Sequence, residues 1–284
     1  MIYIMTFIKI TDFILKAKEI INTDKYLAIT KKYTNDMQYI KMDVLQNNDQ
    51  IYWRNQVHPP KWPLEKKKIL ITGHADYGVD NNVYERYANI TSYWCGVNIV
   101  VSNPNILKLP LGITNDCNDT HIHPIYGNVD VMVNASKENI TKDKCIYMNF
   151  NVNTYHERSN IYNLFKDLPH VTCGVTVNTM DGRFNFLKEI KQHKFVLCPR
   201  GNGVDTHRLW ETLYMGSIPV VQYDPCHSEF ADLPILFIND WNTFSQKSIE
   251  ELDLIYNIYM NKVWKMDKLN ASYWENQIVN LLFV

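Results

Sequence analysis

The stretch Phe195-Val196-Leu197-Cys198-Pro199-Arg200-Gly201-Asn202-Gly203-Val204-Asp205-Thr206-His207-Arg208 reads as a buried strand, a tight loop and the start of a helix. Glycines let a backbone approach an anion closely, and the first turn of a helix offers unpaired N–H groups at the positive end of its dipole. Asp205 is the expected N-cap, which puts Arg208 at the third helical position. Arg200, His207 and Arg208 then crowd the wrong end of the dipole, a conflict that a diphosphate among them relieves. Further on, Leu209, Trp210 and Leu213 form an apolar helix face, while Arg208, Glu211 and Thr212 share the opposite one. Glu211 lies about one turn from the phosphate end, placed for a ribose diol; the bland alternative is a surface Arg208–Glu211 ion pair. Gly216 fits a helix C-cap, and Ile218-Pro219-Val220-Val221 returns as the next strand. No Gly-Lys-Ser/Thr follows the loop, no GxGxxG is completed, and neither GxSxG nor HExxH occurs.

Working outward, apolar runs at Lys68–Thr72, Asn98–Ser102, Lys144–Asn149, His170–Val175, Lys194–Cys198 and Ile218–Gln222 read as strands, several buried on both faces. Helical periodicity fits Glu157–Lys166, Gly182–Gln192 and Thr206–Met215, between those strands. The alternation predicts an α/β fold with largely parallel sheets. Two domains are expected in 284 residues: 1–145, and 146–248 where the alternation is regular, with 249–284 a helical segment packing back on the first.

The chain is 46% hydrophobic and 21% charged with a net charge of -1, which gives no global field for nucleic acid or an anionic membrane. No apolar run spans a bilayer and no leader is recognised, so a soluble, cytoplasmic protein is expected. The six cysteines form no CxxC and read as buried free thiols. His121 and His123 are two apart without a third ligand, so no metal is assigned.

The motif Cys198-Pro199-Arg200-Gly201-Asn202-Gly203, Asp205-Thr206-His207-Arg208, Trp210-Glu211 and Gly216-Ser217-Ile218-Pro219-Val220-Val221 closely resembles the donor motif of the exostosin-like glycosyltransferases. A weaker match is Asn149-Phe150 followed by Thr154 and Arg158, similar to the family's strand end ahead of a phosphate-binding arginine. The first half resembles the family only loosely, and the whole looks most like the short soluble members of large algal viruses, which would place it in the host cytoplasm.

The resemblance implies a GT-B architecture, two Rossmann-like domains facing a cleft, with the donor held by the second. It implies an inverting transfer from a UDP-sugar, UDP-xylose first, to a glycan hydroxyl, without cofactor or metal; no Asp-x-Asp occurs. Arg158, Arg200 and Arg208 are the candidates to neutralise the leaving diphosphate. Gly201, Asn202, Gly203, Thr206, His207 and Glu211 complete the donor set. Such a reaction needs a base from the first domain, and the loop Gly73-His74-Ala75-Asp76-Tyr77-Gly78-Val79-Asp80 lies at a strand's carboxyl end, where α/β sheets place ligands. Asp76 is the expected base, with His74 and Asp80 as rivals; the bland role for Asp76 is to hydrogen-bond a turn. First-half aromatics such as Trp53, Tyr77, Tyr84 and Trp94 are mostly core, some suited to an acceptor sugar. A nucleotide-sugar epimerase and a non-enzymatic carbohydrate-binding protein are the alternatives.

Overall fold

A computed structural model describes residues 20–33, 36–41, 67–73, 76, 78–115 and 123–284. Elements are numbered among these residues. The first half holds α1 (Thr23–Lys32), β1 (Met37–Lys41), β2 (Lys67–Gly73), α2 (Asn81–Tyr87), β3 (Thr91–Gly96), β4 (Ile106–Lys108), α3 (His123–Tyr126) and α4 (Val129–Lys137). The second holds β5 (Lys144–Met148), α5 (Glu157–Phe165), β6 (Val171–Cys173), α6 (Met180–Gln192), β7 (His193–Leu197), α7 (His207–Tyr214), β8 (Ile218–Gln222), β9 (Leu236–Ile238) and α8 (Trp241–Ser245). Then come α9 (Ile249–Asn261) and α10 (Ala271–Asn280). No helix among the described residues is long and apolar enough to cross a membrane.

The strands form two sheets, β1-β2-β3-β4 and β6-β5-β7-β8-β9, and every pairing is parallel. The fold is therefore α/β with two parallel sheets, the expected class. Alternation along the strands explains why the second sheet is apolar throughout. Ile146, Phe195, Leu197, Ile218 and Val220 face α5, α8 and α9, packing with Phe165, Trp241 and Leu252. Tyr147, Val196, Cys198 and Val221 face the other way, onto Leu187, Ile190, Leu209, Trp210 and Leu213. That second cluster continues into Ile21, Tyr26, Ile69, Ile71, Cys95 and Leu109 of the first half and into Trp274 and Ile278 of α10. One apolar core thus joins both halves, with the Lys32–Glu275 pair (2.7 Å) tying α1 to α10 at the surface.

The expected strand over Asn98–Ser102 is not formed. The strand is β3, immediately upstream, and the chain turns at Val97 and Asn98, the latter in the left-handed region at φ 58. Only an isolated bridge between Val79 and Ile99 follows. Asparagine is among the few residues that tolerate this backbone, and here its side chain is held from the second half, accepting from Asp205 N at 2.8 Å. Of the cysteines, Cys95, Cys198 and Cys226 are buried free thiols, whereas Cys173 is exposed and Cys117 lies outside the described residues.

Candidate functional site

In the second sheet the chain leaves β5 toward β6 on one side and leaves β7 toward β8 on the other. Such a reversal opens a crevice at the carboxyl ends of the two strands, where α/β proteins hold ligands. A cavity of about 450 Å³ lies there, between the halves. Gly201, Asn202, Gly203, Thr206, His207 and Arg208 line it together with Arg158, and Asp76, Asn98, Leu111 and Asn115 line it from the first half.

Helix α7 is fixed at both ends. Leu209, Trp210 and Leu213 are buried, as their spacing predicts. At the far end Gly216 (φ 70) accepts the left-handed conformation, with Ser217 N bonding Thr212 O at 3.1 Å and Gly216 N bonding Leu213 O at 3.0 Å, a Schellman stop. Tyr214 Oη donates to Leu269 O (2.7 Å) and accepts from Ile21 N (2.9 Å), so the helix is pinned to both the first half and the C-terminal segment.

At the start of α7 the N-cap position is Thr206, not Asp205, and Arg208 is the second helical residue. Asp205 is buried and serves the interface between the halves. Its carboxylate accepts from Leu111 N (2.8 Å) and Trp210 Nε1 (2.9 Å), and its own N–H donates to Asn98 Oδ1 (2.8 Å). Burial pushes this carboxyl up to about 7, against the pull of those donors. Asp205→Ala is expected to cost about 2–3 kcal/mol by orphaning Leu111 N and Trp210 Nε1, read as a lower denaturation midpoint. The folded carboxyl keeps its proton up to about 7, whereas an unfolded one loses it near about 4, so stability relative to Asp205→Asn falls as pH rises between those values. A flat difference across that window would remove the raised carboxyl.

The arginines divide. Arg208 lines the cavity with its guanidinium 4.3 Å over the Phe186 ring, donating from Nη1 to Asn149 O and from Nε to Glu211 Oε2 (3.3 Å). Arg158 lines it too, but stitches the loops together: Nε donates to Arg200 O (2.8 Å), Nη1 to Asn151 O (3.1 Å) and Nη2 to Pro199 O (3.0 Å). Burial, aided by Arg208, lowers its pKa to about 10, which leaves it a cation at neutral pH. A guanidinium has five N–H donors, so some remain for a ligand. Arg200 departs from the expected donor set, since its side chain faces away from this cavity into a smaller one beyond the loop.

Glu211 also departs from expectation. Its side chain is 5% exposed, and Arg183 Nη2 holds Oε1 at 2.8 Å while Arg208 holds the other oxygen. Burial pulls its pKa upward, but Arg183 and Arg208 outweigh that and keep the carboxyl below the usual range. It is neither a surface ion pair nor open to a ribose; it orients Arg208. Arg183, on α6 with Leu187 and Ile190, is the residue sequence reasoning missed. An arginine in register with an apolar helix face was the available signal.

His207 is neutral rather than a third cation. Burial lowers its pKa, and Nδ1 donates to Gly112 O at 2.8 Å, which fixes the tautomer. The repulsion expected among Arg200, His207 and Arg208 is therefore already relieved by the fold.

Across the cavity Asp76 is exposed, and one carboxylate oxygen accepts from Asn202 Nδ2 at 3.1 Å. Gly203 permits the approach, since a Cβ there would lie 2.8 Å from Asn98 Nδ2 and 3.2 Å from Asp76 O. Asp80 drops out as a rival because it caps α2 through Val83 N (2.9 Å) and does not line the cavity. His74, like Tyr77, Trp53 and His121, lies outside the described residues. Tyr84 and Trp94 pack together in a small core, their rings 6.0 Å apart. Among the described residues no three His, Cys, Asp or Glu side chains gather as around a metal ion.

No family model matches the sequence, and no curated protein matches it either. Among solved structures the chain is similar to an α1,3-fucosyltransferase, at 14% identity and a TM-score of 0.42, with 88% of this chain and 90% of that one covered.

Proposed function

We propose that the protein is an inverting glycosyltransferase that moves a sugar from a UDP-sugar, UDP-xylose first, to a hydroxyl of a glycan acceptor without a metal. The observation that carries this reading is a single cavity in which the glycine loop, the start of α7, Arg158 and Arg208 face an exposed carboxylate, Asp76, from the other half. Its volume of about 450 Å³ is in the range of small-molecule sites. The likeness of residues 198–221 to the exostosin-like donor motif supports the choice of a nucleotide-sugar.

In this reading the diphosphate lies against the loop amides and α7, with Arg208 and the spare donors of Arg158 upon it. The acceptor oxygen attacks the anomeric carbon as the bond from that carbon to the diphosphate oxygen breaks on the opposite face. Asp76 takes the acceptor's proton, and the departing UDP takes the electron pair and the added negative charge. The two guanidiniums are held before reaction by Phe186, Glu211 and the loop carbonyls, so little reorganisation accompanies that charge.

The test is nucleotide release from UDP-xylose, UDP-glucuronate, UDP-galactose and UDP-N-acetylglucosamine with glycan acceptors, with and without EDTA. UDP is expected to bind at least about tenfold more tightly than GDP, and EDTA to leave turnover unchanged. Equal binding of UDP and GDP removes the uracil assignment, and loss of turnover in EDTA removes metal independence. Product formed from donor alone points to an epimerase.

A further inference from the structure

Arg200, displaced from the donor cavity, faces a second cavity of about 170 Å³. One loop is the wall of both: Gly201, Asn202 and Gly203 face the main cavity, while Arg200 and Val204 face this one. The Arg200 guanidinium lies 4.3 Å over the Tyr155 ring, and its Nε is buried without a hydrogen-bond partner among the described residues. Tyr223 on the same cavity is 52% exposed, yet its ring is set edge-on against Phe237 with centroids 5.6 Å apart. Glu157 adds a carboxylate, and Asp224 adds a second whose Oδ1 accepts from Cys226 N at 2.9 Å, which leaves its other oxygen for a ligand.

This mixture selects against simple ions. The carboxylates repel a phosphate and Arg200 repels a cation, whereas a polyol satisfies both, donating hydroxyls to the carboxylates and accepting from the guanidinium. A fixed, exposed ring suits the C–H face of a sugar. The cavity is also connected to the proposed base. Asn202 donates to Asp76 through its side chain (3.1 Å) and accepts from Arg200 Nη2 through its carbonyl (3.3 Å), so a single exposed residue separates the two places. We propose that this second cavity is a subsite for a sugar unit of the acceptor glycan beyond the one that reacts, which passes over Asn202 to reach Asp76. The inference rests on the transferase reading for the identity of the glycan as acceptor.

The test measures binding of an oligosaccharide array and, separately, of UDP to the whole chain and to Tyr223→Ala and Arg200→Gln. Array glycans of two or more units are expected to bind the native chain and to bind each variant about tenfold more weakly. UDP affinity is expected to be unchanged in Tyr223→Ala, whose side chain does not line the main cavity, while Arg200→Gln, which gives up the contact to Asn202 O in the donor loop, is read on glycan binding. Equal glycan affinity in the variants, or no array glycan bound by a chain that binds UDP, overturns the subsite. Glycan binding that is weakened by the variants in a chain that binds no UDP keeps the sugar cavity and removes the donor reading.

Discussion

Arg208→Ala is expected to weaken UDP binding about 100-fold, on the order of 3 kcal/mol, because it removes a charge-assisted, two-pronged contact to the diphosphate. The side chain is held for that contact, stacked on Phe186 and braced by Glu211 and Asn149 O. Its loss leaves Glu211 paired with Arg183 Nη2 at 2.8 Å, so the buried carboxylate stays compensated and the fold survives. Arg208→Lys keeps the charge but gives up the planar fork and the stack, and an intermediate loss of about tenfold is expected. Calorimetric titration with UDP, beside circular dichroism to check folding, measures both. A folded Arg208→Ala chain with native UDP affinity would overturn the placement of the diphosphate.

Asp76→Asn is expected to separate chemistry from donor binding, with turnover falling about 1,000-fold while UDP affinity is retained. The variant keeps an oxygen that can accept from Asn202 Nδ2, so the donor loop stays where it is. It lacks the basicity to take the acceptor's proton. Steady-state nucleotide release with a productive donor and acceptor pair, beside a UDP titration, gives both quantities. Unchanged turnover would falsify the base assignment and pass it to His74, since Asp80 is spent on capping α2.

These two residues illustrate different degrees of legibility. The unit from β7 to β8 was readable because each of its parts is local. A continuous apolar strand, a glycine loop, an amphipathic helix and Gly216 follow one another within thirty residues or so, and α7 begins one residue later than its periodicity predicts. Short strands were harder. Neither β4 nor β9, three residues each, is long enough for alternation to register, and they form because a neighbouring strand offers its edge.

By itself the sequence determined that this protein has a parallel α/β sheet with a glycine loop running into a helix, because backbone periodicity and glycine chemistry act over a few residues. Only the tertiary structure decided what each polar side chain does there. His207 is neutralised toward Gly112, ninety-five positions away. The Asp205 carboxyl is claimed by Leu111 N and Trp210 Nε1, Glu211 is claimed by Arg183, and Arg158 is spread over three loop carbonyls. Arg200 turns to a different cavity. A long polar side chain settles on whichever distant partner best compensates its desolvation, and that partner is set by how the two halves pack.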